Sequence, residues 1–258
     1  MTKLHILCLH GYRQNALKLR GRIAAFRRAF RSSVEFGLSV LSIAMNGCAH
    51  VHRWIVRQCA STLRLKCHMN LHRTYKPMSK NLLGKRYQPA LMCDLGGSEE
   101  IGENVKQLKW FDFTRDNETG PNILSLVDAA IDYVANFVKN EGPFDGIFGF
   151  SQGGSMASLI LQRQVNTLDS PFLFRFALFV SAGAVDDPKY RSDKKVQMPS
   201  LHIIGETDRV VPKDSSLVLK DMFINPTVLM HPGGHYIPTN KERKDALRAF
   251  FEKRRTDV

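Results

Sequence analysis

Between Gly37 and Cys93 there is no aspartate and no glutamate, although nine lysines and arginines fall within those 57 residues. That one-sided stretch cannot be read as a continuation of its flanks, where both signs of charge occur. Long apolar runs are also missing. The longest uncharged run near the N-terminus, Phe36 to Val51, is interrupted by Asn46, Gly47 and His50. It is shorter than the ~20 residues a membrane-spanning helix needs, so no membrane span is expected. Cysteine is scarce as well: there are five, an odd number, and four lie between Cys48 and Cys93. This argues against a disulfide framework and for a reducing compartment. Met1-Thr-Lys-Leu-His runs directly into a strand with no signal-peptide pattern, so a soluble cytoplasmic protein is expected, with the nucleus open to it as well.

What is present is ordinary globular sequence. Of 258 residues, 43% are hydrophobic and 24% charged, a composition and length that suit one α/β domain spanning 1–258. The net charge of +13 is distributed unevenly: residues 1–36 sum to +7, 37–93 to +9 and 94–258 to −3. Residues 37–93 also hold four of the nine histidines and show no sustained apolar period. They stand apart as an atypical basic insertion: a lid, a disordered loop, or a translated segment foreign to the fold such as an unspliced intron. Without them 201 residues remain, enough for a compact α/β domain.

Elsewhere, apolar runs of strand length alternate with amphipathic stretches of helix length. Strands are expected at Leu4 to Leu9, from Val34, and at Phe144 to Phe150, Phe174 to Val180, Ser200 to Ile204 and Thr227 to Met230. Helices are expected at Ala16 to Phe30, at Asn122 to Asn140 with Pro121 in the first turn, at Gln152 to Val165 and at Asn240 to Lys253. Gly142-Pro143 closes the second of these helices. The repeated β-α-β order predicts a mostly parallel sheet covered on both faces, a three-layer α/β/α sandwich.

Gly149-Phe150-Ser151-Gln152-Gly153 is a G-x-S-x-G pentapeptide between an expected strand and an expected helix. In that context the turn is so tight that small residues must flank the serine, whose hydroxyl is lifted above the sheet edge at a helix N-terminus. A serine hydroxyl is a weak nucleophile until a base takes its proton and a carboxylate orients the base. Both follow in chain order. Asp208 ends the run Leu201-His-Ile-Ile-Gly-Glu-Thr-Asp208, with Glu206 as the nearest rival, and His235 ends His231-Pro-Gly-Gly-His235, with His231 as competitor. Ser151 is therefore expected as nucleophile, His235 as general base and then acid, and Asp208 as its partner. The backbone N–H groups of Tyr12, in the loop after the first strand, and of Gln152 are the expected oxyanion donors. Phe111, Phe113 and Tyr236 are candidate pocket walls, and Phe172 to Phe176 is expected in a core strand.

Five pieces of the chain resemble the FSH family of serine hydrolases: Leu7 to Asn15 with the Gly21-Arg22 helix, Ser98 to Gly102 leading to Trp110-Phe111, Gly142 to Gly153, Pro199 to Asp208, and His231 to His235. The likeness runs from Lys3 to Phe36 and from Ser98 to Phe251. It implies an α/β-hydrolase fold and a carboxylic-ester hydrolase, with thioesterase activity also found among relatives, and it puts the triad on Ser151, Asp208 and His235. Its substrate would be a small-molecule acyl ester, with no metal or other cofactor. The departure is 37–93, where the family pattern continues the strand after Phe36 into an Asp-Ala-Pro-His-like turn that is absent here.

Other functions for the basic segment find less support. Cys48, His50, His52, Cys59, Cys67, His68 and His72 could be drawn as a zinc site, but their spacing is not of a C-x2-C type. Its arginines and lysines with Trp54 and Tyr75 could contact phosphates and bases, but no nucleic-acid-binding motif accompanies them, so no nucleic acid is expected as partner. An inactive scaffold is the other non-enzymatic alternative. Limiting trypsin is expected to cut first within 37–93, which fragment masses would show; protection of that stretch would instead indicate an ordered lid.

Overall fold

The computed structural model describes residues 2–38, 108–115, 122–190 and 192–256. Beyond Leu38 the basic segment lies outside these residues, as do its cysteines, histidines, Trp54 and Tyr75, the Ser98 to Gly102 motif and Pro121. The elements in chain order are β1 (Leu4–Leu9), α1 (Ala16–Arg22), α2 (Ala24–Ala29), β2 (Val34–Leu38), β3 (Asp112–Arg115), β4 (Asn122–Ser125) and α3 (Val127–Glu141). There follow β5 (Gly146–Phe150), α4 (Gln152–Asn166), β6 (Phe176–Val180), β7 (Ser200–Gly205), α5 (Lys213–Asp221), β8 (Thr227–His231) and α6 (Lys241–Thr256).

Six strands form one sheet in the order β2-β1-β5-β6-β7-β8, every neighbouring pair parallel. Along β1, Leu4, Ile6 and Cys8 face one buried cluster while Leu7 and Leu9 face the other, the two-sided burial that makes a parallel strand apolar throughout. One cluster joins the sheet to Val127, Val134 and Met156, in α3 and α4. The other joins it to Leu19 and Phe26, in α1 and α2, and to Phe251 in α6. Helices thus cover both faces, and the three-layer α/β/α expectation holds. Among the described residues no helix is long and apolar enough to cross a membrane.

Three local expectations are corrected. The helix expected from Asn122 begins at Val127: Asn122–Ser125 instead pairs antiparallel with Asp112–Arg115, and the Leu124 N–H donates to the buried Asp187 carboxylate at 2.7 Å. Ile123 is exposed. Non-local pairing outweighs local helical period here. The expected helix Ala16 to Phe30 is two helices broken at Ile23, and Leu19, Ile23, Phe26 and Phe30 all remain buried across the break. Phe172 and Phe174 are buried but precede β6 rather than belonging to it, because the Gln164 side chain bonds both the N–H and the carbonyl of Phe174. β2 also extends into the basic segment, with Gly37 and Leu38 in register with Leu7 and Cys8.

β1 pairs with β2 on one side and β5 on the other. The chain reverses its winding there, and in open α/β sheets ligands bind beyond the strand carboxyl ends at such a point.

Buried in β7, His202 stacks on Phe179 at 4.8 Å, meets Phe223 edge-on at 5.2 Å, and has Nε2 3.0 Å from the Ser200 hydroxyl. Burial, with the Lys220 charge adding, pushes its pKa down to about 3. An unfolded histidine titrates near ~6.5, so below that pH the unfolded chain binds a proton the folded chain refuses, and stability falls as pH falls. Unfolding free energies from urea titrations are therefore expected to drop between pH 6.5 and 4, and to drop less steeply in His202→Phe, by as much as about 1.4 kcal/mol per pH unit. Equal slopes would count against a neutral buried ring.

Candidate active site

The chain leaves β5 at Phe150 and enters α4 at Gln152, so Ser151 alone makes the turn, with φ 55° and ψ −128°. A positive φ is strained for a side chain with a Cβ, and a serine is held there only where packing determines the turn. The packing is tight. A Cβ on Gly149 would lie 2.3 Å from the Gly154 Cα, one on Gly153 2.3 Å from the Leu9 carbonyl oxygen, and one on Gly154 2.3 Å from the Ala182 Cβ. The Ser151 N–H donates to the Val180 carbonyl at 3.0 Å, and the Ser151 carbonyl accepts from Gly154 at 2.8 Å.

Asp208 and His235 arrive from the carboxyl ends of β7 and β8. Gly205, which ends β7, lets the two loops approach: a Cβ there would stand 2.6 Å from the carbonyl oxygens of both Gly233 and Gly234. One Asp208 oxygen accepts the N–H groups of Val210 and Val211, each at 2.9 Å, and the other lies 2.8 Å from His235 Nδ1. His235 Nε2 lies 3.0 Å from Ser151 Oγ. A carboxylate only accepts, so Nδ1 carries the hydrogen and Nε2 is free to accept from the serine hydroxyl. The Asp208 side chain is 1% exposed and that of His235 18% exposed, which leaves the imidazole open to a substrate while the carboxylate is sealed from water. Such an arrangement can take a proton from Ser151 and return it to a leaving group.

The two rivals lie elsewhere. Glu206 is exposed. His231 is buried, accepts the Gly233 N–H at 3.3 Å through Nδ1 and packs edge-on against Tyr236. Burial and the Arg243 charge lower its pKa, against the opposing pull of Asp208 and Glu206.

Gly11 lies against the elbow: a Cβ on it would stand 3.2 Å from the Ser151 Cβ and 3.1 Å from the Phe150 ring. Tyr12 is the next residue in that loop. The Gln152 N–H is at the first position of α4, where the helix itself has no carbonyl to receive it. Of the three candidate pocket walls, Phe113 and Tyr236 are exposed whereas Phe111 is buried. His10 and Trp110, both buried, and the half-buried side chain of Gln152 form a hydrogen-bonded network against this loop. The Trp110 indole N–H donates to the His10 carbonyl at 2.7 Å, the Trp110 N–H to Gln152 Oε1 at 2.9 Å, and Gln152 Nε2 to the Phe111 carbonyl at 2.8 Å. Among the described residues no cluster of three or more His, Cys, Asp or Glu side chains could hold a metal ion.

Comparison with known proteins gives a consistent result. The family described as serine hydrolase (FSH1) matches residues 1–247. The chain is 27% identical over 255 residues to Esterase OVCA2 of Danio rerio, covering 97% of each chain. In structure it is similar to SOBER1 of Arabidopsis thaliana, with TM-score 0.54 and 17% identity, covering 99% of this chain and 100% of that one. It is likewise similar to Zea mays acyl-protein thioesterase 2, with TM-score 0.53 and 18% identity, covering 98% of this chain and 94% of that one. With the parallel sheet, these likenesses show the α/β-hydrolase fold.

The spacing at the elbow makes a stability prediction. Gly153→Ala would press a methyl group onto the backbone carbonyls of Leu9 and His10, at 2.3 and 2.4 Å, whereas Gly21→Ala in α1 meets nothing within 4 Å. Thermal melting is expected to show a loss of more than about 3 kcal/mol, or no folded protein, for the first. The second is expected to gain about 0.5–1 kcal/mol, as alanine does over glycine inside a helix.

Proposed function

The chain belongs to the FSH1 family of serine hydrolases, and we propose that it cleaves carboxylic esters through an acyl-serine intermediate carried by Ser151. The carrying observation is the unbroken relay from Asp208 Oδ2 to His235 Nδ1 at 2.8 Å and from His235 Nε2 to Ser151 Oγ at 3.0 Å. In this reading Ser151 Oγ adds to the ester carbonyl while its proton moves to His235 Nε2, and the imidazolium so formed is held by Asp208. The Tyr12 and Gln152 N–H groups receive the oxyanion. Collapse expels the alcohol, which takes the proton from His235, and water, activated by the same imidazole, then releases the acid and frees Ser151.

The name esterase carried by the Danio rerio relative supports this assignment. An acyl thioester fits the same attack, and a thiolate leaves with less help from an acid; the likeness to an acyl-protein thioesterase fold is compatible with it. Neither route draws on a metal or other cofactor, and the substrate is a small-molecule acyl ester rather than a nucleic acid. The chain is read as one hydrolase domain over 1–258 with 37–93 inserted, working in the cytoplasm and open to the nucleus.

A fluorophosphonate probe is expected to label the wild-type protein and Ser155→Ala but not Ser151→Ala, with p-nitrophenyl ester hydrolysis lost in parallel by at least about 10³-fold. Ser155 Oγ, by contrast, bonds the Gly183 carbonyl at 2.8 Å. A chain-length series of p-nitrophenyl esters with one acyl thioester then separates the two substrate classes. Folded wild-type protein inert to probe and substrates alike would point to the inactive scaffold.

A further inference from the structure

His10 is 1% exposed and ends the run out of β1, one residue before Gly11. Its Nδ1 lies 2.9 Å from the Gly11 carbonyl oxygen. A carbonyl can only accept, so Nδ1 carries the ring hydrogen and Nε2 is a bare lone pair. That Nε2 is buried and meets no donor among the described residues. Burial lowers the pKa of the ring to about 4, so the neutral Nδ1–H tautomer persists through the neutral range.

The Gly11 carbonyl and the Tyr12 N–H belong to one peptide unit. Only Gly142–Pro143 is cis among the described residues. In a trans peptide the C=O and N–H point in opposite directions. Drawing the Gly11 oxygen to the His10 ring therefore turns the Tyr12 N–H away from that ring. Gly11 itself is packed on Ser151, with a Cβ position only 3.2 Å from the serine Cβ.

The ring is in turn fixed from behind. Trp110, 1% exposed, lays its indole 4.9 Å from the His10 ring at 30° and donates its N–H to the His10 carbonyl at 2.7 Å. The Gln152 amide holds Trp110 and Phe111 by two backbone hydrogen bonds, as a neighbouring strand would. At the far end of the loop the Leu108 N–H donates to the Gln14 carbonyl at 2.9 Å. Segment 108–111 is thus a strap over loop 10–14, and it is tied to the residue whose own N–H is the second oxyanion donor.

We infer that His10 is a positioning residue that aims the Tyr12 N–H at the developing oxyanion, with Trp110 and the Gln152 side chain holding it in register. This rests on the acyl-serine reading above. His10 touches no reacting atom and acts through the orientation of one peptide.

The test uses an alkyl trifluoromethyl ketone beside a p-nitrophenyl ester. Ser151 Oγ adds to the ketone carbon, its proton passes to His235, and the carbonyl oxygen becomes a resident oxyanion because no group can leave. His10→Phe keeps a ring on Trp110 and deletes the donor. It is expected to lower kcat about ten- to hundredfold, below the full loss of an oxyanion donor, with KM within about twofold and ketone affinity weakened in step with kcat. His10→Asn, which restores a short N–H donor, is expected to recover part of both. A general weakening of structure would move the melting temperature and KM instead, and the asparagine would not rescue it. If His10→Phe does not fold, Trp110→Phe removes the indole N–H on the His10 carbonyl and trims the buried ring, and a several-fold loss in the same two quantities is expected. A folded His10→Phe, or failing that a folded Trp110→Phe, with kcat and ketone affinity both at wild-type values overturns the inference. Wild-type protein that neither cleaves the ester nor binds the ketone would instead overturn the acyl-serine reading itself.

Discussion

The first turn of α4 approaches the end of β1 so closely that a Cβ on Gly153 would stand 2.3 Å from the Leu9 carbonyl oxygen and 2.4 Å from that of His10. The approach of the β1 loop to Ser151 follows from that contact. It forces the strand–turn–helix at Ser151 to pass directly beside the loop after β1, which is why the Gly11 backbone can touch the Ser151 side chain. Elements far apart in sequence thus meet at Ser151. The sheet order places that point where the winding reverses, between β1 and β5.

Holding a serine at φ 55° costs free energy that local sequence does not return. Opposing interactions are distributed around it. Ser151 is pinned through its N–H to Val180 and its carbonyl to Gly154, while Gly149, Gly153 and Gly154 leave no room for a relaxed turn. Asp208 is likewise immobilised by two backbone N–H donors before it reaches His235. Such pre-orientation matters because dipoles already aimed need not reorganise when charge develops.

Glutamine side chains perform a recurrent task on α4. Gln152 at its first position and Gln164 near its end each supply an acceptor and a donor to a passing stretch of backbone, Trp110-Phe111 in one case and Phe174 in the other. Buried backbone groups outside a ladder still need partners. The amide side chain satisfies them where no strand is available, and so a helix can anchor irregular segments at both of its ends.

Much of this was legible in the residues themselves. Continuous apolar runs of strand length and period-3.6 apolar patterns indicated the strands and helices of the sandwich, because each element must bury one side or both. G-x-S-x-G between strand and helix, followed by Asp208 and His235 after later strands, was enough to name three side chains, since a tight elbow admits few residue types. The excess charge could also be assigned: residues 94–258, which hold all three, sum to −3, so the +13 describes the first 93 residues. What only the tertiary structure decided depends on contacts between distant segments. Periodicity favoured a helix from Asn122, but pairing with Asp112–Arg115 and the Asp187 carboxylate made it a strand. Glu206 and His231 were open alternatives by spacing alone, and burial with hydrogen-bond direction separated them from Asp208 and His235. The roles of His10, Trp110 and the Gln152 amide had no sequence signal. The Trp110 indole reaches the His10 carbonyl across 100 residues of chain, and local pattern does not carry that information.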